Sequence, residues 1–496
     1  MINRYIIRPL KTRTAHSLKW NMIDRVATQV LYAVTGIVLA RELSTEDFAL
    51  VGALLIFQAF ASLLVDSGFA YALIQRKRPT KLDYSTVLWF NMAVATLLYV
   101  VLYLSAPLIA DCFQGDTRLI PLSRVMFLSL ILNAAAIVQT NRLMKAMDVR
   151  LVAVSNSLGL VLGGVVGIVL AVNGFGAWAL VWQTLTLASV KSIVLWTSTR
   201  WRPLIRFSWK SLRAYFGIGS KMMFTSFLNT LFLNIYGFFI GHFVSMSSLG
   251  YYTQSDKWSK MGISSISQVL TSSFLPALSA VQDSPERFRA MVSKINRFTS
   301  YLLFPAMLGL MAMAKPIFHT LFGEKWDPSI YLFQLLLLRG VFVVFNSLYS
   351  NYLLALGHGG AIVRLEVLRD VAALIALAVT FPYMTLTLPD DPVYGVRILL
   401  YGQLAATVLA CAVSLVVTVR LTSIGLMRFV RDMMPYFMQT VLIVPVMLVA
   451  AMISELAWIK LVVMLAVALT LYLGGNYVFR SKIQQEVFAY LTGRNK

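Results

Sequence analysis

The feature that most constrains this chain is a series of about fourteen predominantly apolar runs, each long enough for an α-helix to cross roughly 30 Å of hydrocarbon. They fall at 17–40, 46–70, 84–108, 118–141, 150–172, 176–198, 213–242, 247–281, 295–314, 328–355, 361–384, 394–419, 433–454 and 456–479, numbered here as spans 1 to 14. The connections are short and rich in turn formers, such as Ser44-Thr45-Glu46-Asp47, Asn173-Gly174, Asp327-Pro328 and Pro389-Asp390-Asp391-Pro392. No soluble domain fits between them. With 58% hydrophobic and 13% charged residues and a mean hydropathy of +0.74, the expected fold is an all-α polytopic membrane protein.

A net charge of +22 would suggest nucleic acid in a soluble protein, but here the basic residues cluster between apolar runs, which is a topology signal. The spans place 30 of the 43 lysines and arginines on one side, seven on the other and six within helices. The first side holds Arg76-Lys77-Arg78, Arg142/Lys145/Arg150, Arg200/Arg202/Arg206/Lys210, Arg287/Arg289, Arg364/Arg369 and Arg428/Arg431. Both termini are therefore expected on the cytoplasmic face. The start of the chain, with Arg4, Arg8, Lys11 and Arg13, reads as a basic interfacial arm rather than a signal peptide. Cys112 and Cys411 are too far apart in sequence for a disulfide framework, and His16, His242, His319 and His358 are too scattered for a metal cluster. Neither metal nor cofactor is expected.

Leu43–Leu50 after span 1 is echoed by Val244–Tyr251 after span 7, six spans later and in the same direction. The simplest architecture is two six-helix lobes around a central cavity, plus two extra helices. The expected divisions are a basic arm (1–16), an N-lobe (17–198), a basic linker (199–212), a C-lobe (213–419), spans 13 and 14 (420–480) and a tail (481–496).

Polar residues inside spans are costly unless they face protein or a water-filled cavity. Span 1 places Asn21, Arg25, Thr28, Tyr32 and Thr35 on one face, with Asp24 beside them; span 2 aligns Gln58, Ser62 and Asp66. Span 7 aligns Lys221, Thr225 and Asn229, and span 8 carries Thr253, Asp256, Lys257, Lys260, Ser264, Ser267 and Thr271. The hydroxyls alone read as ordinary interhelical hydrogen bonding, and the lysines shift the reading to a hydrated cavity with a cationic wall. An ammonium at mid-span costs about 2.5 to 3.5 kcal/mol. Asp256 can compensate only one of Lys257 and Lys260, and Arg339 in span 10 has no acid nearby in sequence. Arg25 and Lys221 lie close enough to span ends to snorkel. Asp66 is placed to pair with Arg25 across adjacent antiparallel helices, or to gate; Asp24, Asp66 and Asp256 are the candidate coupling acids. Arg364, Glu366, Arg369 and Asp370 read as a solvated helix end.

The stretches Val38-Leu39-Ala40-Arg41 leading into Leu43-Ser44 and Phe48, Asp66-Ser67-Gly68-Phe69-Ala70 followed by Ile74-Gln75-Arg76, and Leu321-Phe322-Gly323-Glu324-Lys325-Trp326 together resemble Wzx-type polysaccharide exporters, especially the colanic and teichuronic acid group. The resemblance extends over nearly the whole chain. It implies a flippase of the multidrug/oligosaccharidyl-lipid/polysaccharide superfamily. Such a protein moves undecaprenyl-pyrophosphate-linked oligosaccharides across the bacterial inner membrane by alternating access. By the same resemblance Arg25, Lys257 and Lys260 are pyrophosphate candidates, and spans 13 and 14 a lipid-tail groove. Membrane lipids, a polysaccharide polymerase and glycosyltransferases are the implied partners, and nucleic acid is not. A multidrug or cation antiporter would need an acid-dominated cavity, whereas the deep charges here are mainly basic. A membrane-embedded polymerase would need a large loop or an acid-bearing catalytic domain, and no Walker loop, nucleophile elbow or metal-ligand cluster is present. No enzymatic activity is expected.

Overall fold

The computed structural model of the chain describes residues 10–66, 69, 73, 76, 78–386 and 391–491, so residues 1–9 of the expected arm and 492–496 of the expected tail lie outside the described residues. The first half runs α1 (Leu10–Glu42), α2 (Thr45–Asp66), α3 (Lys81–Leu104), the short α4 (Ala106–Cys112), α5 (Leu119–Met126), α6 (Leu128–Lys145), α7 (Val149–Val172), α8 (Ala177–Ser198) and α9 (Trp209–Phe239). The second runs α10 (Met246–Ser279), α11 (Pro285–Ala312), α12 (Ala314–Leu321), α13 (Asp327–Ala355), α14 (Gly359–Thr380), α15 (Tyr394–Thr422), α16 (Leu426–Ala450), α17 (Ala457–Val478) and α18 (Lys482–Leu491).

Among the described residues, eleven spans are long and apolar enough to cross a membrane, counting α5 and α6 as one. A twelfth arises if α11 and α12, bent by 63° at their junction, form a single crossing. The difference from the fourteen runs read in the sequence lies in α10 and α14. Both are long enough, at 34 and 22 residues, but they are charged, and composition alone supports twelve crossings at most.

Helix starts are fixed by side chains that bond backbone N–H groups the first turn leaves unpaired. Thr80 and Asp83 form a reciprocal capping box at α3. Ser44 and Asp47 do the same at α2, with Ser44 N–H donating to Asp47 Oδ2 at 2.9 Å and Asp47 N–H donating to Ser44 Oγ at 3.1 Å. At the start of α10, Ser248 N–H donates to Ser245 Oγ at 3.0 Å. Ser44 and Ser245 occupy the same place in the octapeptide echo, as do Asp47 and Ser248. The echo is thus a helix cap used twice. Gly250, in the second copy, packs so closely on Thr45, in the first, that a Cβ added there would clash with the Thr45 carbonyl oxygen.

The chain divides into two compact units, residues 1–250 and 251–496. In the first unit, α7 packs along both α1 and α8, α6 along α3 and α8, and α9 against α2 and α3. The α7–α8 approach depends on a glycine stripe. A Cβ at Gly159 would meet Leu187 O at 2.9 Å, and at Gly163 Gln183 O at 2.8 Å, while Gly167 faces Gln183 Cβ at 3.1 Å. Small residues at every fourth position let backbones approach where lipid offers no hydrophobic drive for association. In the second unit, α13 packs on α15 and α11, α14 on α15, and α16 lies between α11 and α17.

Replacing Gly163 with Val should therefore lower the thermal midpoint of the purified protein, the overpacking costing about 1–3 kcal/mol. Gly474→Ala, at a position with no neighbour within 4 Å, should leave the midpoint unchanged or slightly raised.

Candidate functional site

α10 presents two different faces. On one, Tyr252, Ser255 and Ser259 are buried, and Ser255 Oγ donates to the carbonyl of Ser329 at 2.8 Å while Ser329 Oγ donates to that of Tyr251 at 3.2 Å. Trp258 stacks obliquely on Phe322, and Tyr251 meets Trp326 edge-on. These contacts fix α10 against the start of α13, and its other face carries Lys257 and Lys260, both exposed.

Lys260 Nζ lies 2.6 Å from Asp256 Oδ2, one turn earlier. Lys257 Nζ instead sits 5.6 Å from the centroid of the Trp258 ring, and among the described residues no carboxylate pairs with it. One acid serves one lysine, as the sequence implies. Arg339 turns towards α15, its Nε donating to Thr407 Oγ1 at 3.3 Å. The next residue, Gly340, faces α10, where an added Cβ would meet Ile263.

In the first unit, Asp24 stands near the Asn156 side chain of α7 and within electrostatic reach of Lys191 on α8 and of Arg25, with no ion pair within 4 Å among the described residues. Arg25 itself is exposed, as is Asn229 on α9, and the side chains of Lys221 and Thr271 lie outside the described residues. The expected pair between Asp66 and Arg25 does not form among the described residues. α1 packs along α7, which turns Asp24 inward, and Asp66 Oδ1 is buried with no hydrogen-bond partner among the described residues. On α14, Arg369 reaches both Glu366 at 2.5 Å and Asp370 at 3.1 Å, so the acids there meet the arginine as expected.

Beside the almost purely apolar runs 441–449 and 461–473 of spans 13 and 14 lies a polar seam. Asn476 donates to Gln439 Oε1 at 2.8 Å, Gln439 Nε2 to the Tyr472 carbonyl at 3.0 Å, and Tyr472 Oη to the Tyr301 carbonyl of α11 at 2.8 Å. Nearby, buried Asp432 faces Arg297 at 3.6 Å, and Arg428 donates to Ser293 at 2.7 Å. The outward faces remain apolar and exposed at Leu442, Val449, Val462 and Leu469.

Sequence reasoning misses Asn156, Lys191 and Asp432. The signal for Lys191 is available, since it is a lone charge inside span 6, whereas Asp432 stands just before span 13 beside Arg431. Single substitution of Asp24 by Asn or of Lys191 by Met should each lower the thermal midpoint. Asp24→Asn/Lys191→Met should lose less than the sum, with a coupling of about 0.5–3 kcal/mol; strictly additive losses would show that the two charges do not interact.

Residues 38–331 match the family described as "Polysaccharide biosynthesis protein". The chain is 26% identical over 359 residues to the succinoglycan biosynthesis transport protein ExoT of Rhizobium meliloti, covering 72% of each chain. It is 24% identical over 346 residues to the teichuronic acid biosynthesis protein TuaB of Bacillus subtilis, covering 68% of this chain and 71% of that one. It is 25% identical over 334 residues to the lipopolysaccharide biosynthesis protein WzxC of Escherichia coli, covering 67% and 68%. In fold it is similar to the lipid II flippase MurJ in an inward closed conformation, with a TM-score of 0.70, 14% identity and coverage of 93% and 100%. An inward-facing multidrug resistance MATE family transporter of the MOP superfamily follows at 0.59, with 17% identity and coverage of 80% and 94%. The helical architecture is thus the one shared by MurJ and MATE transporters, and since the family match spans more than half of the sequence, this chain belongs to the polysaccharide biosynthesis protein family.

Proposed function

We propose that the protein is a flippase that moves oligosaccharides linked to undecaprenyl pyrophosphate across the bacterial inner membrane for surface polysaccharide biosynthesis, by alternating access. The observation that carries this reading is Lys257, an exposed cation on a charged spanning-length helix with no carboxylate partner among the described residues. A pyrophosphate taken through hydrocarbon loses its hydration at great cost, and fixed cations lower that barrier by replacing water with paired charge. Family membership and relatives named for polysaccharide export and biosynthesis support the choice of cargo.

On this reading Lys257 and Lys260 hold the pyrophosphate, and Arg25, Arg339, Lys221 and Asn229 are the further substrate-binding residues. Asp24, Asp66 and Asp256 are the acids through which an ion gradient would be coupled. The outward faces of α16 and α17 accommodate the polyprenyl tail, and both termini lie in the cytoplasm, on the side rich in lysine and arginine.

The test is flipping of a fluorescent undecaprenyl-pyrophosphate oligosaccharide in proteoliposomes, comparing wild type with Lys257→Ala/Lys260→Ala at matched reconstitution. Wild type should flip the lipid, and the double variant should be at least tenfold slower. Equal rates would discard the cationic site while leaving a transporter, and a wild type that flips nothing, even with its sugar partners supplied, would refute the flippase reading.

A further inference from the structure

The second unit holds a cavity remote in sequence from the α10 lysines. It forms because α11 ends at Ala312 and the chain bends by 63° into α12, leaving a gap beside the tip of the α16–α17 hairpin. The gap measures about 350 Å³, near the lower end of the roughly 300–1,000 Å³ typical of small-ligand sites. That volume suits a headgroup rather than an oligosaccharide.

One wall is α12, where Lys315 and His319 sit one turn apart on the same face; the other is the hairpin, with Lys460 and the apolar Leu448, Met452 and Met464. Lys315 is exposed, with no ion pair or hydrogen bond from its ammonium among the described residues. Lys460 Nζ lies 3.4 Å from Glu455 Oε2, but the Glu455 side chain is 97% exposed. A pair so open to water contributes little and leaves the lysine available. His319 Nε2 is held by Asp327 Oδ1 at 2.6 Å, which fixes the ring at the edge of the cavity. The charges facing the space are therefore two available ammonium groups and one water-exposed carboxylate.

Two further features point to a lipid. Trp458, at the start of α17, is more than half exposed, and tryptophan in that position marks the headgroup level of a bilayer. Beyond the lysines the hairpin presents mainly exposed apolar side chains, Met452, Val449 and Leu442 among the most exposed. In the topology expected from the sequence, Lys315 and Lys460 belong to the side with only seven of the 43 lysines and arginines, so two of them meeting in one gap is not explained by the general charge bias of membrane proteins.

We propose that this cavity binds the phosphate group of a membrane lipid, with Lys315 and Lys460 as its counter-charges and the lipid chain lying along α16 and α17. The site shares the α16 and α17 faces with the tail groove of the proposed function but needs only a membrane-embedded second unit, and its test measures retained lipid rather than transport.

The experiment is native mass spectrometry of the full-length protein in detergent, titrated with undecaprenyl phosphate, with dioleoyl phosphatidylglycerol and with their phosphate-free counterparts, undecaprenol and dioleoylglycerol. Wild type should retain the phosphate-bearing lipids and not the others. Lys315→Gln/Lys460→Gln should weaken that retention at least tenfold, Lys315→Arg/Lys460→Arg should keep it within about twofold, and Lys325→Gln, a charge loss outside the cavity, should not change it. Tighter retention of undecaprenyl phosphate assigns the site to the prenyl carrier, and tighter retention of phosphatidylglycerol assigns it to bilayer phospholipid; both uphold the phosphate site. Undiminished retention by the Gln pair, or equal retention of phosphate-free lipids by wild type, would overturn it. Displacement of both lipids by millimolar inorganic phosphate would show a free-anion site and overturn the lipid assignment.

Discussion

A peptide group inside hydrocarbon has no water to bond, and each one left unpaired costs several kcal/mol, so the long elements of this chain close their hydrogen bonds within themselves as helices. The constraint bites hardest at helix starts, where the first turn leaves N–H groups without intrahelical partners. Ser44 with Asp47, Thr80 with Asp83, and Ser245 meet that need with side-chain oxygens. The repetition of one such cap at the heads of α2 and α10 gives the octapeptide echo a physical meaning: the same short code starts the second helix of each half.

Once the backbones are satisfied, helix association rests on close packing and on side-chain polar contacts, because lipid tails are as apolar as leucine. The first unit uses glycines, with Gly159, Gly163 and Gly167 drawing α7 onto α8 and Gly164 admitting Thr35 of α1. The second unit fastens its last helix pair with polar groups. Gln439, Asn476 and Tyr472 bond across α16 and α17 to the Tyr301 carbonyl of α11, and Arg297 faces Asp432 on α16. The outer faces stay free for lipid while the inner ones define a register.

Most of the fold is legible in the sequence because its signal is local: runs of about twenty apolar residues, turn formers between them, and lysines and arginines gathered on alternate connections. Of the site, the α10 charges are legible from spacing alone, as Asp256 and Lys260 are one helical turn apart. Tertiary placement is not. Adjacency in sequence suggests that span 1 meets span 2 and so matches Asp66 to Arg25, whereas α1 packs along α7 and brings Asp24 to Asn156 and Lys191. The seam in α16 and α17 escapes because Gln439 and Asn476 lie far apart in sequence, and only their mutual position gives them a role. The bend at Ala312 that opens the lysine-lined cavity likewise depends on how α12 packs on α17 and α13.

Magnitudes distinguish the deep lysines. Placing an ammonium at the centre of a span costs about 2.5–3.5 kcal/mol on the insertion scale. Lys260 has that cost offset by a carboxylate 2.6 Å away, and Lys191 faces Asp24. Among the described residues Lys257 has the Trp258 ring at 5.6 Å and no carboxylate, and a cation over an indole contributes about 0.5–1 kcal/mol at an exposed site, rising to about 2 when desolvated. Among the described residues Lys257 is consequently the less compensated of the two α10 lysines.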